Sequence, residues 1–370
     1  MVQRFSHRRQ RICPLYHVCL LLCLLPALLL TPAPAHGQET PPVSPLALTP
    51  TPVPEQNGPA DGLTLEVESL LAGMTAADRV GQLFIINFQG SDLGSDSDIA
   101  VLIDSYRVGG VVISPANFNF SNEKGVDTPR QVAALTNQLQ ALAYGLVLPP
   151  ERALEPLQIA PWPPAGYETM QPISGQQPGN IPLLIAVEQT GDGLPFTALR
   201  RGFTPLPSQM AIGATWNGAL AQRVGEVVGR ELHAVGVNLL LGPSLDVFDQ
   251  ANTAATAGLG VNTFGGNPFR VSKLGRAYIS GVHNGGANQV ATVARHFPGQ
   301  GSSDRPPEEE VATIQKSLEE MRATALPPFV AATQGASSVL AAEGDPGSTD
   351  VIMTSHMRYS AFQGGAAGRV

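Results

Sequence analysis

Cysteine is scarce in this chain and absent from most of it. Cys13, Cys19 and Cys23 are the only three, so everything beyond them must rest on packing rather than on disulfides. Basic charge is also short: 22 Lys and Arg stand against 30 Asp and Glu, for a formal net charge of -8. A phosphate backbone needs a basic face, so no nucleic-acid partner is expected. Neither a Cys-His metal spacing nor a glycine-rich phosphate loop occurs, and no cofactor or metal is expected. The apolar run Val18 to Leu30 contains Pro26 and falls short of the roughly 20 residues a membrane-spanning helix needs.

That run follows Arg4, Arg8, Arg9 and Arg11 and precedes Ala33-Pro34-Ala35. A charged region, a short apolar core and an A-x-A site together read as a secretory signal over residues 1–35. The protein is therefore expected to be secreted or associated with the cell envelope, touching a membrane only through this signal if it stays uncleaved. Cleavage after Ala35 would remove all three cysteines and four arginines but no acid, taking the net charge from -8 to -12. Residues 36–62 are rich in Pro and Thr and read as an extended spacer.

From Leu63 onward the pattern changes. With 43% hydrophobic and 14% charged residues, residues 63–370 suit one large domain with a sizeable core. Short apolar runs alternate with helical periods. Strands are expected at 83–88, which should be buried, and at 110–114, 182–187, 237–241, 290–294 and 351–354. Helix starts are expected at the Thr75/Asp78 capping box, at Thr128 with Pro129, at Asn217, at Asn267-Pro268 and at Ser317/Glu320. The helix after Asn217 should bury Leu220, Val224, Val227, Val228 and Leu232. A Pro-rich stretch, 145–180, interrupts the rhythm as an insertion that is either functional or disordered. Alternating strands and helices mean a parallel sheet with right-handed crossovers. Periodicity alone permits either an α/β (β/α)8 TIM-type barrel with about six of its eight strands present or a doubly wound open sheet.

In a barrel, chemistry sits at the C-terminal ends of the strands. The polar residues there are Asn87, Ser114, Glu188-Gln189, Asp246, Arg295-His296 and Ser355-His356. Acids, amides and a cation beside an imidazole suit a carbohydrate, whose vicinal hydroxyls pair with carboxylates and charged donors. Each also has a plainer role. Glu188 can cap a turn, Asp246 can satisfy loop amides, and Arg295-His296 can close the rim as an ion pair. Ser355-His356 is discounted as a nucleophile–base pair, since neighbours on a strand point to opposite faces.

Several of these stretches, in order, resemble glycoside hydrolase family 3. Ala294-Arg295-His296-Phe297-Pro298-Gly299-Gln300-Gly301 resembles that family's K-H-F-P-G-H-G. Ile185-Ala186-Val187-Glu188-Gln189 is similar to I-x-x-D-Q-E-G-G, Gly242 to Val247 to A-P-V-L-D-V, Asn262 to Gly265 to R-S-F-G, and Met353 to His356 to M-T-A-H. Met74 to Leu83 and Val108 to Val111 match its opening helix and second strand. The resemblance covers about residues 65 to 365 and implies a barrel acting as a retaining β-glycosidase, closer to the β-N-acetylhexosaminidases than to the β-glucosidases.

By the same resemblance Glu188, Asn262, Arg295 and His296 line the sugar subsite. Three of them depart from the family: Glu for Asp, Arg for Lys and Asn for Arg, which change reach and donor geometry. The proton-donor loop of the hexosaminidases carries D-S-H; here it reads Gly301-Ser302-Ser303-Asp304-Arg305-Pro306, so Pro306 stands at the His position and Asp304 is the acid/base candidate, with Glu308 to Glu310 or a group from elsewhere as the alternatives. Pro306-Pro307 can equally open a helix whose first turn holds Glu308 to Glu310. No stretch like the family's nucleophile segment V-x-S-D-D-L occurs between Met357 and Val370. The resemblance thus leads to the expectation of a truncated sequence that hydrolyses nothing. Two other functions stay open: a non-catalytic glycan-binding protein on a degenerate barrel, and a secreted scaffold using 145–180.

Overall fold

The computed structural model describes residues 62–146, 181–248, 259–301, 312–333 and 347–362. All fall within Pro59–Val370, the second of the two units into which the chain divides. The expected signal, most of the spacer, most of the 145–180 insertion and Asp304 lie outside them.

The described residues form eight strands: β1 (Ile85–Asn87), β2 (Gly110–Val112), β3 (Leu184–Val187), β4 (Leu239–Leu240), β5 (Ala291–Phe297), β6 (Thr313–Ile314), β7 (Val351–Thr354) and β8 (Arg358–Tyr359). The helices are α1 (Gly62–Gly73), α2 (Ala76–Gly81), α3 (Asp98–Asp104), α4 (Thr128–Ala143), α5 (Gln209–Thr215), α6 (Gly218–Ala234), α7 (Pro268–Gly285), α8 (Leu318–Glu320) and α9 (Pro327–Thr333).

Six strands form one parallel sheet in the order β1-β2-β3-β4-β5-β7. Each is hydrogen-bonded to the next one along this order, and the order never reverses. A doubly wound sheet reverses at its switch point, so this succession is the wall of a barrel. All six are where the sequence places them. The second sheet, β6 paired in parallel with β8, has no counterpart in the sequence reading, because two-residue strands carry no period.

The sheet is apolar on both faces. Ala186, Leu239 and Val293 cluster with Val112, Leu241, Ala291 and Met353 on one face. Val111, Ile185, Val187 and Leu240 turn the other way, into the helix-covered core with Leu139, Val228, Leu232 and Tyr278. This alternation is what a barrel strand requires, and each Val, Leu or Ile among them, where fully buried, contributes roughly 1.5–3 kcal/mol.

β1 corrects an expectation. The run 83–88 is expected to be buried, yet Leu83 is 80% exposed, with Phe84 and Ile85 also exposed. Among the described residues β1 has a neighbour on one side only, and apolar character alone does not supply a second. The cap of α4 is Asp127, which accepts from the Arg130 N–H at 3.2 Å, rather than Thr128, whose hydroxyl donates to Ser121 O. The caps at Thr75, Asn217, Asn267 and Ser317 form as expected.

α6 and α7 make the closest helix contact. A Cβ on Gly225 would lie 2.2 Å from Tyr278 O, one on Gly229 2.1 Å from Val282 O, and one on Gly281 2.0 Å from Gln222 O. Backbone touches backbone along this seam. The buried stripe of α6 is accordingly Ala221, Gly225, Val228, Gly229 and Leu232, whereas Leu220, Val224 and Val227, expected inside, are half-buried.

Candidate active site

Side-chain amides stand in for missing backbone partners around the site. Gln209, at the start of α5, donates to Ser244 O and accepts from Ser244 N, at 2.9 and 3.0 Å. Gln189 treats Leu199 the same way. Buried Asn119 donates to Phe88 O and Gly90 O and accepts from Ser114 N. A buried N–H or C=O left without a partner is costly, so these clamps fix where each strand hands over to its loop.

β5 does not end at Ala294, as expected, but runs on to Phe297. Its pairing with β7 shifts by one residue: Arg295 lies opposite Met353 and Phe297 opposite Thr354, leaving His296 extra. A bulge of this kind re-aims side chains. The strict alternation that would send Arg295 and His296 to opposite faces is lifted here, where both pair with carboxylates placed just after β3 and β4.

Arg295 Nη2 donates to Glu188 Oε1, directly after β3. The Arg295 side chain is only 7% exposed, and its Nε–H has no hydrogen-bond partner among the described residues. His296 Nδ1 lies 2.8 Å from Asp246 Oδ2. Asp246 is fully buried; it also accepts from the Gln300 N–H at 2.8 Å and from the Ser244 hydroxyl at 2.9 Å. Burial pushes its carboxyl up, but the charge and hydrogen bond of His296, with the bonds from Gln300 and Ser244, outweigh that and hold it below the ordinary value.

Glu188 and His296 are thus joined through Arg295 on one rim of the sheet. Asn262 joins this rim less directly. It is buried, and its Oδ1 accepts from Thr190, two residues beyond Glu188. Asp246 combines the role of satisfying a loop amide with a direct contact to the imidazole. Ser114 is used as the cap of a short 3-10 turn, Pro115–Asn117, and Asn87 is exposed.

Sequence reasoning missed Tyr359. Its hydroxyl is hydrogen-bonded to Ser355 and its pKa is pushed up to about 12, mainly by burial; the Ser355 bond lowers it and the negative charge of Asp246 raises it. Tyr359 therefore stands within electrostatic reach of Asp246. Its signal was faint: one aromatic four residues past Ser355. His356 is exposed, and Ser355 is paired to the tyrosine rather than to it.

A small cleft lined by Asp78, Gln82, Arg107, Val108 and Leu183 lies at the opposite ends of the strands, since these residues precede β1, β2 and β3. It is not where a barrel does chemistry. Among the described residues no group of three or more His, Cys, Asp or Glu is placed to hold a metal ion, and no helix is long and apolar enough to cross a membrane.

A parallel barrel wall with paired acids and bases at the C-terminal ends of three successive strands defines the class: the (β/α) barrels that carry their site at that end. Within it, the chain belongs to glycosyl hydrolase family 3, whose N terminal domain matches residues 166–368. A Beta-hexosaminidase of Pseudomonas aeruginosa is 32% identical over 178 residues, 48% of this chain and 47% of its own length. Beta-hexosaminidase A of Pseudoalteromonas piscicida is 25% identical over 268 residues, 72% of this chain and 35% of its own. In three dimensions a glycoside hydrolase family 3 beta-N-acetylglucosaminidase from Paenibacillus sp. superposes with a TM-score of 0.58 at 27% identity, covering 78% of this chain and 43% of that one. The chain spans about half the length, or less, of the curated relatives it matches.

Proposed function

We propose that this barrel is the sugar-binding part of a retaining β-glycosidase of the β-N-acetylhexosaminidase type, acting on terminal non-reducing sugars. One observation carries the reading. The guanidinium of Arg295 is buried against Glu188 with its Nε–H unpaired among the described residues, and a buried donor without an acceptor costs about 1–3 kcal/mol. A sugar hydroxyl is an acceptor of the right size at a rim that already offers a carboxylate and an imidazole. The family match and the names of the relatives support the same class.

In this scheme Glu188 accepts from sugar hydroxyls, Arg295 donates to them and His296 contacts a neighbouring hydroxyl. Retention requires a nucleophile and an acid that later serves as base, two carboxylic groups in most glycosidases. Asp304 is the candidate for the second role. The Arg–Glu pair, longer than the family's Lys–Asp, changes the shape of the subsite, and with it the preferred sugar. We further propose a secreted or envelope-associated protein, on the strength of the signal pattern in residues 1–35.

The test is binding of N-acetylglucosamine to the purified 370-residue chain by calorimetry, beside Arg295→Ala. Saturable binding that falls about tenfold or more in the variant is expected, since losing one charge-assisted bond costs roughly 1.5–3 kcal/mol. An unaffected variant, or no binding by the wild type, overturns the reading. The second reading, a glycan-binding protein without turnover, is favoured by Pro306 at the proton-donor position. Incubation with an aryl β-N-acetylglucosaminide separates the two: hydrolysis excludes the second, and binding without hydrolysis supports it.

A further inference from the structure

We infer that Asp246 is a positioning residue: it dictates which ring nitrogen of His296 carries the hydrogen, and so gives the site a bare Nε2 as acceptor. The inference deepens the proposed sugar subsite and rests on that reading for its sugar arm only.

Each oxygen of Asp246 has its own work. Oδ1 takes the Gln300 backbone N–H at 2.8 Å, while Oδ2 takes the Ser244 hydroxyl at 2.9 Å and faces His296 Nδ1 at 2.8 Å. An ionised carboxylate can only accept, so the hydrogen between it and the ring resides on Nδ1. A neutral imidazole has one N–H, and Nε2 is then left with a lone pair. Nε2 makes no hydrogen bond among the described residues and is not sealed from solvent, unlike the fully buried carboxylate behind the ring. Arg295, one residue earlier, can only donate. A donor and an acceptor on adjacent residues match a pair of vicinal hydroxyls, each of which can both give and take a hydrogen bond.

The local geometry also fixes what an amide would do in place of the acid. In Asp246→Asn the side-chain oxygen is needed by the Gln300 N–H, and that N–H cannot turn, because Gly301 packs flat on Val247, where an added Cβ would sit 1.8 Å from Val247 O. The NH2 must then face His296 Nδ1 and Ser244 Oγ. Only a bare Nδ1 can accept from it, so the ring hydrogen moves to Nε2.

Imidazole tautomers are read directly from two-bond 1H–15N correlations on histidine-labelled chain, at a pH of about 8.5 where an unperturbed ring is neutral. His296→Gln identifies the His296 signals among those of the seven histidines. Wild type is expected to show hydrogen on Nδ1 and a bare Nε2; Asp246→Asn the reverse; Ser244→Ala, which keeps the carboxylate, the wild-type pattern. Wild-type His296 protonated on Nε2, or on both nitrogens at this pH, overturns the inference, as does an unchanged tautomer in Asp246→Asn. Should that variant fail to fold, wild type and Ser244→Ala still decide the matter. Added N-acetylglucosamine should shift wild-type Nε2 and bind about tenfold more weakly to Asp246→Asn, the loss of roughly one hydrogen bond. If no sugar binds while the tautomers follow the expected pattern, the proposed function fails and the role of Asp246 stands.

Discussion

Two parts of this barrel are held together by opposite means. Between α6 and α7 the helices meet at Gly225, Gly229 and Gly281 because side chains are missing, and carbonyl oxygens occupy the space that Cβ atoms would need. At the C-terminal ends of β3 to β5 the opposite holds. Two acids, a guanidinium and an imidazole are crowded together, and each buried charge is matched by a partner or a backbone N–H. The first region gains dispersion and shape but tolerates no added volume. The second costs desolvation and gains direction, which matters at a site and not at a seam. Stability and function are thus drawn from different chemistry a few residues apart: α6 precedes β4, and α7 leads into β5.

The largest effect should come from filling the seam. Gly281→Val adds three carbons where the first already meets Gln222 O at 2.0 Å, with the Glu226 N and Gln222 C at 2.9 Å. Backbone cannot step aside as a flexible side chain can, so the helices must part. A loss of about 4 kcal/mol is expected, above the ordinary cost of overpacking, with melting lowered by roughly 10 °C. A melting point within a degree or two of wild type would mean that the seam is softer than its geometry, and the contrast between the regions would dissolve.

At the rim, Asp246→Ala removes a fully buried charge and leaves Gln300 N–H, Ser244 and His296 without their acceptor. At pH 7 about 3 kcal/mol should be lost in denaturant unfolding. The sign of the pH dependence follows from the depressed carboxyl. Wild-type Asp246 contributes fully above the ordinary carboxylate pKa of about 4 and loses that contribution as the pH falls through its lower folded value. The gap between wild type and variant should therefore narrow as pH drops from 4 toward 2. A gap that stays constant would remove the charge from the account and leave only packing.

The same contrast explains what the sequence disclosed. All six wall strands were legible, because each is an apolar run between turn residues. Glu188, Arg295 and His296 were legible as the polar residues that end such runs, and as a resemblance. Their pairings were not. Glu188 meets Arg295 across 107 residues and Asp246 meets His296 across 50, and a one-residue bulge decides which way His296 points. The α6 face was misjudged for a related reason. Hydrophobicity favours Leu220, Val224 and Val227, while the contact is made by Gly225 and Gly229, which carry no hydrophobic signal at all. Exposure of Leu83 was equally hidden: an apolar run does not say how many neighbours its strand has.

The smallest effect tests whether glycine matters at the seam through volume or merely by being glycine. Gly218 begins the same helix as Gly225, but an added Cβ there meets only Ala277 Cβ, at 3.9 Å, an ordinary contact. Gly218→Ala brings the helix propensity of alanine and a smaller unfolded-state entropy, together about 0.5 kcal/mol at a helix start. A gain of that size, or no change, is expected in thermal unfolding, against a clear loss for Gly225→Ala, whose Cβ would meet Tyr278 O at 2.2 Å. If the two alanines destabilise equally, close approach is not what selects glycine in α6. The helix would then need glycine for its own backbone, and the seam would have to be held by Val228, Leu232, Tyr278 and Val282 alone.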